Sequence, residues 1–385
     1  MFLTCNKIPP PDSALQSRKY CTAKGRVEWI DALKIMTMVL VVAGHCTYYT
    51  IKTRFGGIDN YSADGYYSLS YRVLQFLTTL IYKFHMPLFM AVSGAVFSLG
   101  IGKLNRVRDL AAGKARRLLL PFVAVTTFLV VPLKYFSGYY AGSDHIFRDI
   151  ICGQYLLLGN SHLWFIVSLF YIFVIFFAME RIRVPKNVAY WLVLTVVSWA
   201  GTFLLRYGDL GGIPGMLKHL LFFAAGFSTF EYWNRRQPMP VMLQGLSWLG
   251  FVLFVMSTNY LLTHSHSLIL KSAVIFPCRT LAAFWGCANM VHMAKSFLHS
   301  GFMKSRLCAF AGRYTYELYL YSDPFNYLLI AMLMGLFGQA VFTDSLCSGL
   351  AFFIRFFGTL LSAAVVIFLW DICIMRRLFA CKNRI

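Results

Sequence analysis

The sequence predicts an all-α membrane protein: a polytopic bundle of about ten transmembrane helices with both termini in the cytoplasm. Hydrophobic residues make up 58% of the 385-residue chain and charged residues 13%, whereas soluble domains have about 25% charged residues. The apolar residues form long runs, and a run of about 20 residues can cross a bilayer as one helix. These runs are 30–50, 69–101, 118–136, 162–180, 188–205, 215–231, 241–262, 268–293, 314–336 and 347–375.

The basic residues are distributed unevenly between the loops. Most of the 36 Lys and Arg residues fall in the two tails and in every second loop, and this asymmetry places that side of the bundle in the cytoplasm. The topology therefore accounts for nearly all of the net charge of +21. Because no basic surface is left over, we expect no nucleic-acid partner.

The chain divides into three predicted segments. Residues 1–29 are polar and lack the apolar core of a signal peptide, so we expect a disordered cytoplasmic tail. Residues 30–376 form the membrane domain, and residues 377–385 form a short basic cytoplasmic tail. The 10 cysteines show no CxxC or other metal-ligand spacing, so we expect no metal site. The sequence leaves the oligomeric state open.

The first apolar run carries three ionisable residues on one predicted helix face. At 100° per residue, Lys34 and His45 lie within about 20° of each other and roughly 16 Å apart along the axis, with Asp31 one turn before Lys34. An ion pair between Asp31 and Lys34 and a packing histidine is the purely structural interpretation. Because ionisable groups are costly inside a membrane and imidazole is a good general base, we predict catalytic roles for Asp31, Lys34 and His45.

Two later runs also contain polar residues at membrane depth. In 69–101, Pro87 is expected to break the helix beside His85, which either lines a substrate cavity or satisfies a carbonyl that the proline frees. In 314–336, Glu317 and Asp323 stand among tyrosines and need partners. The cations that we expect to supply them are Arg279, Lys271 and Lys34.

A basic stretch before the third run contains Lys114, Arg116 and Arg117. Its simplest interpretation is an anchor that fixes the topology. A cluster of cations at the inner surface also suits a polyphosphate ligand, because guanidinium groups bind phosphate in a bidentate manner.

These motifs, in this order, resemble the acyltransferase 3 family of integral membrane acyltransferases, and the resemblance covers essentially the whole chain. The matching segments are Glu28–Lys34 with His45, Phe84–Phe89 with Ser93-Gly94, Lys114 with Arg117, Leu163–Phe165 and Gly312–Pro324.

The resemblance implies ten core helices, an acyl-CoA donor (commonly acetyl-CoA) bound from the cytoplasm, and an acceptor hydroxyl on an envelope glycan or a lipid-linked sugar. It implies that His45 is the catalytic residue and that Lys34 and the pair Lys114 and Arg117 handle the donor; we add Arg116 to the residues that bind the donor phosphates. It also points to the bacterial inner membrane. We add four residues as candidates for lining the substrate site: His85, Trp164, Glu317 and Tyr319.

The chain departs from the family pattern at three positions. Lysine stands at 34 and 114, where arginine is common, so the charge is kept without the bidentate geometry. Ser322 stands where many relatives have a histidine. Within the predicted mechanism, His45 acts either as a general base or through an acyl-histidine intermediate.

Two other classes of protein fit the composition. A secondary transporter or flippase would also have about ten helices and buried charges, but it predicts paired breaks in two halves of the chain, and none is evident. A sensor derived from an acyltransferase bundle would function without His45.

Overall fold

The computed structural model describes residues 27–62, 65–103, 106–264, 268–298 and 305–369. Of the predicted N-terminal tail 1–29, only residues 27–29 are described. The predicted C-terminal tail 377–385 lies outside the described residues. What is described is almost entirely helical, with one two-stranded antiparallel ladder between β1 (Ile51–Lys52) and β2 (Gly57–Ile58).

The helices follow one another along the chain with short connections. They are α1 (Glu28–His45), α2 (Leu69–Ser98), α3 (Val107–Phe136), α4 (Ile146–Ile150), α5 (Trp164–Arg181), α6 (Val188–Leu204), α7 (Ile213–Arg235), α8 (Val241–His264), α9 (Leu268–Phe297), α10 (Arg306–Arg313), α11 (Thr315–Phe337), α12 (Ala340–Thr343) and α13 (Ser345–Ile367).

Within the described ranges, nine helices are long and apolar enough to cross a membrane: α2, α3, α5, α6, α7, α8, α9, α11 and α13. Helix α1 has 18 residues and falls outside this group because Glu28, Asp31 and Lys34 make it more polar. The predicted polytopic helical bundle is therefore confirmed. Following the predicted topology, we call the side where α1 begins the inner end and the side where it ends the outer end.

Helix α2 is not broken at Pro87, contrary to the prediction. It runs without interruption over 30 residues with the proline inside it. The ring of His85 does not satisfy the carbonyl that Pro87 frees, which belongs to Lys83; its Nδ1 lies 3.0 Å from the carbonyl oxygen of Ile81 instead. The packing of α2 against α1, α7 and α9 holds the helix together.

Helix α3 accommodates its two prolines by widening. A π-helical turn, Ala115–Leu119, precedes Pro121, and a second one, Thr126–Val130, precedes Pro132. Proline cannot donate to the carbonyl four residues earlier, and for Pro121 that carbonyl belongs to Arg117. The Tyr316 hydroxyl donates to the Arg117 carbonyl at 3.3 Å. Inserted π turns often occur at functional sites.

Helices α2 and α7 pack in very close contact through two glycines. A Cβ atom placed on Gly94 would lie 2.1 Å from the carbonyl oxygen of Phe223, and one on Gly226 would lie 1.9 Å from that of Ala91. Small residues that let two backbones approach are characteristic of helix packing in membranes. The crossing fixes α2 against α7 at the inner side of the cavity described next.

Candidate active site

A cavity of about 630 Å³ lies in the outer half of the bundle. Among the predicted site residues, His45, His85, Trp164 and Tyr319 line it. Glu317, Asp31 and Lys34 do not. The volume is typical of a site for a small ligand. The structure thus brings together four of the predicted residues from four different helices.

His45 ends α1 beside a buried carboxylate. Its Nδ1 atom lies 2.8 Å from Oδ1 of Asp323, a residue of α11. The other carboxylate oxygen, Oδ2, lies 3.2 Å from Nδ1 of His162. Asp323 is 6% exposed, and both histidines line the cavity whereas the carboxylate does not.

These contacts correct the predicted partners of Asp323. We expected Arg279, Lys271 or Lys34, and the structure places two histidines against the carboxylate instead. The side chain of Lys271 lies outside the described residues. Both contacts are short without being aligned as good hydrogen bonds, so the carboxylate acts on the rings mainly through its charge.

A buried arginine holds the end of α1 in place. Arg355 of α13 is fully buried and donates to the carbonyl oxygens of His45 at 2.8 Å and Tyr48 at 2.7 Å. Its Nε donates to Oδ1 of Asn326 at 2.8 Å, and Nδ2 of Asn326 donates to the His45 carbonyl at 2.7 Å. A cation at a helix C-terminus satisfies the free carbonyls and the helix dipole together.

The hydroxyl of Tyr48 lies 2.9 Å from Nδ1 of His45. Burial raises the pKa of this phenol well above its usual value, with a further contribution from the Asp323 charge, so the hydroxyl stays protonated. Nδ1 of His45 therefore has a neutral oxygen and a carboxylate as neighbours. The negative charge of Asp323 attracts a proton more strongly than the neutral phenol oxygen does, so we assign the Nδ1 proton to the Asp323 side.

His162 is positioned from the loop before α5. Nε2 of its ring lies 3.2 Å from the Leu320 carbonyl, and the Tyr319 hydroxyl donates to the His162 carbonyl. Nearby, the fully buried Lys134 donates to Oε1 of Gln154 at 3.0 Å and to the Asn160 carbonyl. The loop that carries Asn160 and His162 is thus attached to both α3 and α11.

The predicted donor residues lie elsewhere, and none of them lines the His45 cavity. Lys114 is half-buried, with its Nζ 3.4 Å from the ring centroid of Phe173. Arg116 and Arg117 are exposed in the first π turn of α3. Lys34 forms the structural ion pair with Asp31 at 3.2 Å. Their roles in donor binding and catalysis stay predictions.

The sequence model of a family described as an acyltransferase domain, the acyltransferase 3 family, matches residues 27–371. The chain belongs to this family. No curated protein and no solved structure gives a significant match. Membership makes this chain an integral membrane acyltransferase.

Several site residues were missed in the sequence. His162 was overlooked because it stands at the start of an apolar run, where a polar residue looks like a span boundary. Lys134 and Lys218 stand near the ends of predicted apolar runs, where a lysine usually marks the interface, although Lys134 is fully buried. Arg355 stands alone in the last run, and its charge at membrane depth was the signal that should have assigned it to a polar site.

Proposed function

We propose that this acyltransferase moves an acyl group, most simply acetyl from cytoplasmic acetyl-CoA, to a hydroxyl of a cell-surface or lipid-linked sugar, with His45 as the general base. The observation that carries the proposal is the contact of 2.8 Å between Nδ1 of His45 and Asp323 at the wall of the cavity. With the Nδ1 proton directed at the carboxylate, Nε2 is the nitrogen left to accept a proton. The same division of roles operates in a Ser-His-Asp triad.

The reaction needs no base other than His45. Nε2 of His45 takes the proton of the acceptor hydroxyl while the oxygen of that hydroxyl attacks the thioester carbonyl of the donor. The carbon–sulfur bond breaks, an oxygen ester forms, and the leaving thiolate recovers the proton from the imidazolium ring. The negative charge of Asp323 stabilises the ring while it carries two protons.

The cavity suits a sugar in composition. Hydroxyl and amide groups of Thr79, Asn160 and Thr202 alternate around it with the aromatic rings of Trp164 and Trp199. Aromatic rings offer broad apolar faces, and a few placed polar groups orient a ligand. The proposed bacterial inner-membrane location rests on the family resemblance alone.

The test is thiol release from acetyl-CoA by purified protein in detergent, with and without a panel of glycans. We expect the His45→Ala variant to lose the acceptor-stimulated rate by about 10²–10⁴-fold, which is the usual contribution of a general base. The matched control is His264→Ala, a histidine exposed at the end of α8, and it should leave the rate unchanged.

Two outcomes would contradict the proposal. One is a His45→Ala protein with the rate of the unaltered chain. The other is a folded protein that neither binds acetyl-CoA nor releases thiol from it, and that moves a sugar across a vesicle membrane, which would favour the transporter class.

A further inference from the structure

Three cationic side chains face the same cavity as His45. They are Lys83 from the middle of α2, Lys218 from the first turns of α7 and Arg279 from α9. All three line one cavity, so their like charges repel one another. Three cations from three helices thus line the same cavity, although their mutual repulsion makes this arrangement unfavourable.

No carboxylate among the described residues neutralises these cations by direct contact. Within the described ranges, none of the three is in an ion pair within 4.0 Å, and no Asp or Glu of those ranges lines the cavity. Lys83 has a neutral partner, the amide oxygen of Asn259 at 3.1 Å.

Two carboxylates belong to segments that flank the cavity, and neither forms an ion pair with the three cations. Asp323 contacts His45 and His162, and it does not itself line the cavity. Asp209 lies before α7, where its Oδ1 accepts from the Gly215 amide at 2.7 Å. Its charge reaches Lys218 without an ion pair. Uncompensated cations at membrane depth are costly, and they commonly mark a substrate pathway.

Resting on the proposed function, we infer that Lys83, Lys218 and Arg279 bind an anionic group of the acyl acceptor, a phosphate or a carboxylate attached to the sugar. The acceptor is therefore a negatively charged glycan or a sugar phosphate, and a neutral glycan is a poor substrate. Arg279 is exposed at the mouth of the cavity, where a guanidinium can meet an oxyanion in bidentate geometry.

The position of the cations favours the acceptor over the donor as the source of the anion. Lys218 follows the Leu210–Gly212 turn at the outer end, and Arg279 lies in the outer half of α9. The phosphates of CoA are expected at the inner end, where Lys114, Arg116 and Arg117 lie. An anion that meets Arg279 therefore arrives with the acceptor.

The experiment is a binding titration with three matched probes: glucose 1-phosphate, glucuronate and glucose. Fluorescence of Trp164 and Trp199, which line the cavity, reports occupancy. We expect the two anions to bind more tightly than glucose by roughly tenfold or more, as for hydrogen bonds to charged groups. We expect Lys218→Gln with Arg279→Gln to remove that preference.

A matched control removes the same charge from the outer surface. Lys52→Gln with Arg148→Gln deletes one lysine and one arginine that are each paired with a carboxylate away from the cavity, and it should leave the preference intact. Because Lys218 is partly buried, Arg279→Gln is also tested alone. The charge-conserving pair Lys218→Arg and Arg279→Lys should keep most of the preference.

Acetyl-CoA titrations separate the two sources of phosphate. If the double variant loses acetyl-CoA affinity and keeps its preference for the anionic probes, the cations serve the donor and the inference is overturned. Equal binding of all three probes to the unaltered chain overturns it as well. Measuring the probes in His45→Ala protein separates this inference from the proposed function, since anion binding does not need the base.

Discussion

The two ends of helix α1 carry the ionisable residues that stand out in the sequence, and the structure surrounds them differently. At the inner end, Lys34 is 32% exposed and forms one ion pair with a neighbour on its own helix. At the outer end, His45 contacts Asp323 and Tyr48, and its carbonyl accepts from Arg355 and Asn326. These partners come from α11, α13 and the loop after α1.

The contrast shows how little the residue type alone reveals about a membrane site. A charged residue in an apolar run is either an anchor at the membrane interface or a member of a buried polar network. The sequence of the run looks the same in both cases. Only the partners from distant helices separate the two cases. Long-range contacts therefore make His45 a better catalytic candidate than Lys34. By the same criterion, His162 and Arg355 belong to the site around His45.

Removal of the Asp323 charge should produce the largest effect on this contrast. Asp323→Asn keeps the shape of the side chain and no longer stabilises a protonated His45, so we expect the acceptor-stimulated thiol-release rate to fall by about 10²–10⁴-fold. Asp144→Asn, in the exposed loop before α4, is the control. A rate within twofold of the unaltered chain would show that the carboxylate does not support the base.

Arg355→Met should mainly lower stability. It leaves the carbonyls of His45 and Tyr48 and the side chain of Asn326 without their buried donor. A buried acceptor that loses its donor costs about 1–3 kcal/mol. Thermal unfolding in detergent measures the loss. Arg355→Lys keeps the charge and should recover part of it, whereas equal melting temperatures for all three proteins would contradict the positioning role.

Lys34→Gln should have a much smaller effect on stability. A partly exposed ion pair between neighbours on one helix contributes at most about 1 kcal/mol, and Lys34 does not line the His45 cavity. We therefore expect little change in melting temperature and in the rate at saturating acetyl-CoA. A rise in the KM for acetyl-CoA alone would support the predicted role in donor handling. A loss of rate as severe as that of His45→Ala would remove the contrast between the two ends.

The last prediction concerns how the contribution of Asp209 to stability changes with pH. Burial raises its pKa from 3.8 to about 6 in the folded protein, so the folded state binds a proton more tightly than the unfolded state. The contribution of this group to stability is thus largest below pH 4 and is lost as the pH rises through 6. Asp209→Asn should gain in melting temperature relative to the unaltered chain between pH 4 and pH 8. A difference that does not vary with pH would contradict the assignment.

The sequence was sufficient for the class of fold and for part of the site. Apolar run length and the placement of Lys and Arg depend on the bilayer alone, so they predict the helical bundle directly. His45, His85, Trp164 and Tyr319 do share one cavity. All four lie in the motifs on which the family resemblance is based.

The remaining features depend on contacts that no local pattern encodes. Pro87 suggested a broken helix, yet the packing around α2 keeps it continuous. Asp323 was predicted to pair with a lysine or arginine, yet two histidines from separate segments contact it instead. Arg355 lies in the last apolar run, and its partners at His45 and Tyr48 are about 300 residues earlier in the chain.

The glycine crossing between α2 and α7 sets a limit on the size of the ligand. Gly94 and Gly226 bring the two backbones into contact, and the same two helices carry His85 and His219 into the cavity. Backbone contacts cannot change rotamer as side chains do, so the width between these two histidines is fixed when the protein folds. On that side, the enzyme should tolerate little variation in substrate size, and any adjustment to a larger glycan has to come from the other segments that line the cavity.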